Sequence, residues 1–126
     1  MAKEIISTDN APRSLAGYSQ AVKAAGLVFV AGQGPFDPAT GEVVGETIQE
    51  QTHQCLKNVQ AILEAAGSSL ENAVSATFIL LDGDDFAGFN EEWNQWFPKD
   101  PPARQAAQMP IRVKTMKISI ALIAEA

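Results

Sequence analysis

The sequence predicts an α+β fold, a sheet with two helices on one of its faces, and three observations carry that expectation. Two stretches place apolar residues at helical spacing, 47 to 66 and 86 to 97. Short β-prone segments surround them in the order ββ, α, β, α, ββ. The 126 residues suffice for one hydrophobic core, and no composition break divides them, so residues 1–126 read as a single domain.

The first hairpin comes from "YSQAVKAAGLVFVA" at 18 to 31, where Ala25-Gly26 is a turn signal between two β-prone segments. "GQGPFDPATGEVVGE" then clusters Pro and Asp with Gly, the chemistry of a long connection. From Thr47 to Ala66, the residues Ile48, Cys55, Leu56, Val59, Ile62, Leu63 and Ala66 mark one helical face, and Gly67 sits where a helix-terminating glycine belongs.

"AVSATFILL" at 73 to 81 predicts a strand with Val74, Phe78 and Leu80 on one side and Ile79 and Leu81 on the other. In "DGDDFAGFNEEWNQWF", the residues Phe86, Phe89, Trp93, Trp96 and Phe97 recur at steps of three and four, with aspartates to cap the start and Pro98 beyond the end. Residues 103–109 and 115–124 complete the sheet, the last alternating Met116, Ile118, Ile120 and Leu122 against Lys117, Ser119, Ala121 and Ile123. Two helices cover one face, yet "LVFVA" and "TFILL" are apolar on both. A symmetric oligomer that packs sheet on sheet is the expected cover for the second face.

Hydrophobic residues are 46% and charged residues 19% of the chain, as in ordinary globular domains. The formal net charge of −6 repels polyanions and argues against nucleic acid as a partner; Arg112, Lys114 and Lys117 fall close together but read as a solvated strand edge. Cys55 is the sole cysteine, which permits no intrachain disulfide, and its helix position predicts burial. "MAKEIISTDNAPRSL" has no apolar run of signal-peptide length, and other apolar runs are strand-sized, so the expectation is a cytoplasmic protein with no membrane association. His53, the one histidine, falls on a helix edge with Gln49, Lys57 and Gln60 and reads as a solvated side chain.

"PPARQAAQMP" at 101 to 110 sets Arg104 among prolines, alanines and glutamines. A guanidinium has five donors, and this run offers it no carboxylate. A small ligand's carboxylate or an interface ion pair would each answer the need.

Five stretches, "GYSQAV" at 17, "VAGQGPFDPATGEVV" at 30, "QTHQCLKNVQAILEAAG" at 51, "DDFAGFNEEW" at 84 and "PPAR" at 101, together resemble the Rid/YjgF family of reactive intermediate deaminases, known also as endoribonuclease L-PSP or translation inhibitors. The likeness runs through nearly the whole chain, apart from a shortened loop before "PPAR". It implies a chorismate-mutase-like protomer with a mixed sheet, assembled as a homotrimer with clefts between subunits. The implied chemistry is hydrolysis of enamine or imine acids of the 2-iminopropanoate and 2-iminobutanoate type to a 2-oxo acid and ammonia, with no metal and no cofactor.

By the same resemblance, Arg104 holds the substrate's carboxylate, Tyr18 is the cleft tyrosine, Gly32 lines the site with its backbone, and Ala106, Asn90 and Pro102 occupy recurrent substrate-site positions. The residues alone also allow Tyr18 as an interface aromatic, Asn90 as a helix-surface amide, Gly32 as a strand bulge and Pro102 as a loop stop.

The sequence departs from the resembled pattern around that anchor. The family's final strand usually reads "VEIEAIA", and its second glutamate is assigned to the attacking water; here the position is Ala121, and the earlier acidic position is Ser119. Glu125 projects to the same side but lies roughly 13 Å further along an extended strand. Ala31 replaces a serine and Ala106 a cysteine. The expectation is a deaminase weakened or re-specialised; the alternatives are a noncatalytic trimer that binds small carboxylates, and an endoribonuclease or translation inhibitor.

Overall fold

In the computed structural model, which describes residues 2–126, the chain forms strands β1 (Glu4–Ile6), β2 (Ala21–Ala24), β3 (Leu27–Gln33), β4 (Ala73–Leu80), β5 (Ala103–Gln108) and β6 (Ile118–Glu125), with helices α1 (Ile48–Ala65) and α2 (Phe86–Trp96). The six strands make one mixed sheet in the order β1-β2-β3-β6-β4-β5. Only β4 and β5 run parallel, with α2 as their crossover. The expected α+β class and the two helices on one face are found.

Local chemistry explains the elements. Ala25 and Gly26 both have positive φ, 54° and 77°, as a two-residue hairpin turn requires, and they join β2 to β3. Thr47 and Glu50 close a capping box at the start of α1; the backbone N–H groups of Thr47 and Glu46 hold the Glu50 carboxyl below its ordinary pKa, a stabilisation present at neutral pH and lost as pH falls through the folded value. Gly67, at φ 81°, ends the helix in the left-handed region. Asp82 accepts a hydrogen bond from the Asp84 N–H at 2.9 Å and so initiates the turn that leads into α2.

Three elements differ from the sequence expectation. β1 was not foreseen; it is three residues long and pairs only with β2. Val74 is 40% exposed rather than packed with Phe78, because Ala73 pairs with Ala124 and Ser75 with Ile123, which leaves Val74 as the extra residue of a bulge. β6 begins at Ile118, not 115, since Thr115 has φ 71° and the Met116 N–H bonds the Val113 carbonyl in a turn.

The core lies between the helices and one face of the sheet. Leu56, Val59, Ile62 and Leu63 of α1 and Phe89 and Trp93 of α2 bury against Val28, Val30, Phe78, Ile118, Ile120 and Leu122. Cys55 is among these buried residues, and burial pushes its thiol pKa well up, so the thiol stays protonated and unreactive. Alternate residues point the other way. Ile5, Val22, Phe29 and Ile123 lie in one cross-strand row on the opposite face, with Ile5 54% and Phe29 40% exposed. Both helices lie on the other side of the sheet, so this apolar row has no cover from them.

Candidate functional site

The sheet order divides the candidate residues into two groups. Arg104 is on β5, at the free edge of the sheet, with Ala106 two residues along the same face and Pro102 buried just before the strand. β5 is exposed throughout its length. Asn90 is on α2, beside the aromatic residues that line this edge. Gly32 and Ala31 belong to β3, Ala121 to β6, and Tyr18, 49% exposed, to the segment that leads into β2.

β3 and β5 are three strand spacings apart, roughly 14 Å. Arg104 pairs with Ala76 on the helix side of the sheet, whereas Ala121 pairs with Thr77 on the open side. One copy of the chain therefore keeps Arg104, Ala106, Pro102 and Asn90 apart from Tyr18, Gly32 and Ala121.

Arg104 makes no ion pair among the described residues; the one pair found is between His53 and Glu92. Its guanidinium carbon instead lies 5.4 Å from the ring centres of Phe78 and Trp93, 5.5 Å from Phe89 and 5.6 Å from Phe86. Desolvation against these rings lowers its pKa from the usual guanidinium value, though a guanidinium remains charged at any physiological pH. The Asn90 Oδ1 is buried and has no donor among the described residues. Such an orphaned acceptor is uncommon in folded proteins and calls for a partner.

The second group is built around a bulge. Val30 pairs with Leu122 and Gln33 with Ile120, so Ala31 and Gly32 together oppose Ala121. A Cβ on residue 32 would stand 3.0 Å from the Ser119 Oγ, closer than ordinary packing allows, which suits glycine there. The bulge reading of Gly32 thus holds, and it places Ala31, Gly32, Ser119 and Ala121 in one small patch of low side-chain volume.

Buried amides that sequence periodicity did not single out hold the segments around this patch. Asn58 of α1 donates to the carbonyls of Gly34 at 3.1 Å and Phe36 at 2.9 Å, and accepts from Gln54 at 3.0 Å. Gln51 donates to Gly45 and Thr115 and accepts from the Lys117 N–H, which ties both long loops to α1. Gln20 accepts from the Thr8 N–H at 2.7 Å and donates to the carbonyls of Thr8 and Pro12, fixing the stretch before Tyr18. Polar residues inside an otherwise apolar helix stripe are the signal that could have found Gln51, Gln54 and Asn58; Gln20, outside any helix, carries no such signal. Replacing Asn58 by Ala should lower stability by about 2–4 kcal/mol, because two loop carbonyls and the Gln54 amide lose partners; urea denaturation measures it.

His53 is exposed as expected, its side chain 55% accessible, and it also reaches a partner on α2. Its Nδ1 is 3.0 Å from the Glu92 Oε2, which also accepts from the Trp96 indole at 2.7 Å. A carboxylate accepts only, so the proton resides on Nδ1. The group pins α1 to α2 and borders a cleft of about 970 Å³ that does not include Arg104. Among the described residues, no three His, Cys, Asp or Glu side chains are grouped to hold a metal ion, and no helix is long and apolar enough to cross a membrane.

This two-layer α+β architecture is shared with solved structures of known proteins. The crystal structure of E. coli TdcF with bound serine matches with a TM-score of 0.91 at 36% identity, covering 98% of each chain. The family described as endoribonuclease L-PSP matches residues 8–126. A RutC family protein of Pyrococcus horikoshii is 47% identical over 122 residues, 97% of each chain. A 2-iminobutanoate/2-iminopropanoate deaminase of Bos taurus is 38% identical over 124 residues, 98% of this chain and 90% of the relative. The chain belongs to the Rid/YjgF family, the endoribonuclease L-PSP family.

Proposed function

We propose that the protein binds a small 2-imino acid by its carboxylate at Arg104 and hydrolyses it slowly to the 2-oxo acid and ammonia. The observation that carries this reading is the guanidinium at an exposed sheet edge with no carboxylate partner among the described residues. A planar carboxylate matches its paired in-plane donors. The bovine relative is named for this reaction with 2-iminobutanoate and 2-iminopropanoate, and the similar TdcF structure holds serine, a small amino acid.

The chemistry asks little of the protein. Protonation of the imine nitrogen makes its carbon electrophilic; water adds there; the carbinolamine then expels ammonia as the carbonyl forms. The enzyme must orient the acid, place the water and move protons. Arg104 does the first. Tyr18 is the hydroxyl we assign to hydrogen bonding in the cleft, and Gly32, Asn90, Pro102 and Ala106 shape the walls. The missing carboxylate at Ala121 leaves the water without an acid or base, and loss of such a group commonly reduces a rate about 10²- to 10⁴-fold.

The cleft also requires a second copy of the chain. Arg104 and the Tyr18–Gly32–Ala121 group are separated within one chain, and the apolar row through Phe29 and Ile123 has no cover from the helices. A homotrimer that packs these open faces together and sets one copy's β5 edge against its neighbour's β3 bulge meets both needs.

Ala121 also favours a second reading, a trimer that binds small carboxylates without turnover. RNA cleavage has weak physical support, since the net charge is −6 and the one histidine is peripheral, exposed on α1 beside Glu92. The test supplies the imine from a serine or threonine dehydratase and follows its loss, with the mass in solution measured by light scattering. Slow loss above the uncatalysed rate by a trimer is expected. Binding of 2-oxobutanoate without any acceleration would favour the noncatalytic reading, and a monomer at all concentrations would remove the shared cleft.

A further inference from the structure

We infer that Phe86 is a positioning residue for Arg104: its exposed ring forms the outer wall of an aromatic seat that holds the guanidinium in place of a carboxylate. The inference rests on the reading that Arg104 receives a ligand's carboxylate.

An arginine at an edge strand has many rotamers, and proteins commonly restrain such a side chain with an ion pair. A carboxylate would occupy the in-plane N–H groups and cancel the charge. Aromatic faces act differently, since they attract the cation through the ring quadrupole and leave the in-plane donors free. Arg104 has four rings within 5.6 Å of its guanidinium carbon and no ion pair among the described residues.

The strand register builds this seat. Arg104 lies opposite Ala76, whose methyl leaves room over the sheet, and diagonal to Phe78, which pairs with Ala106. Phe78 stacks on Phe89 with ring centres 4.0 Å apart, and Phe89 meets Trp93 at 5.4 Å. Phe78, Phe89 and Trp93 are at most 2% exposed and belong to the core. Phe86 is different. It is 43% exposed, at the first turn of α2, and leans on Phe78 and Phe89 at 6.1 and 6.3 Å. Of the four rings it alone can be altered without opening the core.

The test compares wild type, Phe86→Leu, Phe86→Tyr and Arg104→Ala, using 2-oxobutanoate as the calorimetric probe and the Arg104 Nε–Hε resonance as a direct report on the seat. In wild type the Hε resonance is expected upfield from ring currents; an ordinary shift there overturns the inference before any variant is made. Phe86→Leu should move it downfield and weaken 2-oxobutanoate about 3- to 10-fold, the size of a partly exposed cation–π contact. Phe86→Tyr should stay within about 2-fold of wild type, since the ring is kept. Equal losses in Phe86→Leu and Phe86→Tyr, or no loss in Phe86→Leu while Arg104→Ala abolishes binding, would overturn the aromatic seat and leave the anchor standing. Unchanged affinity in Arg104→Ala would instead remove the anchor itself.

Discussion

Arg104→Ala is expected to lose binding of pyruvate and 2-oxobutanoate by roughly 30- to 1000-fold while the fold persists. The size follows from two charge-assisted hydrogen bonds, each worth about 1.5–3 kcal/mol to a charged partner, with partial repayment by water. The fold persists because every residue of β5 is exposed in the protomer and Arg104 makes no ion pair among the described residues, so only its stacking, about 0.5–1 kcal/mol, is lost. Arg104→Lys should recover little, since a single ammonium cannot present two parallel donors in one plane. Calorimetry gives the affinities, and thermal unfolding gives the stability. If the ligand affinity is equal in wild type and Arg104→Ala, the arginine serves an interface ion pair with another copy of the chain, the alternative its sequence context left open.

What could be read in the sequence depended on how local the determining physics is. α1 was legible to within a residue because Thr47, Glu50 and Gly67 act within their own turns. β1 was not, since its three residues gain order only by pairing with a distant hairpin. The bulge at Val74 and that at Ala31–Gly32 depend on how partner strands line up, which alternation alone does not encode.

The site divides in the same way. The isolation of Arg104 from carboxylates was visible in "PPARQAAQMP". Its aromatic seat was not, because Phe86, Phe89 and Trp93 read simply as a helix face, and only the parallel pairing of β4 with β5 brings Phe78 and Arg104 together. Gln20, Gln51, Gln54 and Asn58 were not singled out; the helix stripe marks Gln51, Gln54 and Asn58 as inward-facing, but the loop carbonyls that satisfy them come from distant segments. The separation of Arg104 from Gly32 and Ala121 likewise comes from strand order, and it is what makes a second copy necessary to the proposed cleft.

Ala121→Glu is expected to raise the rate of imine hydrolysis. The position lies on the open face of β6, opposite the Ala31–Gly32 bulge and beside Thr77, with small neighbours that leave room for a longer side chain. A carboxylate there would hold water and take its proton as the carbinolamine forms, a contribution of up to about 10²-fold from the low end of general-base effects. The gain should fall short of that, because Ala31, opposite the position, offers no hydrogen bond to help fix a new rotamer, and loose placement forfeits much of the effect. The measurement is dehydratase-coupled loss of imine at fixed protomer concentration. Arg104→Ala combined with Ala121→Glu should return the rate to background, showing that the new carboxylate uses the same cleft. A wild type already as fast as an efficient deaminase would overturn the assignment of Ala121 as a vacated water site, and would move the proton-transfer role to Tyr18 or to a carboxylate on the neighbouring copy.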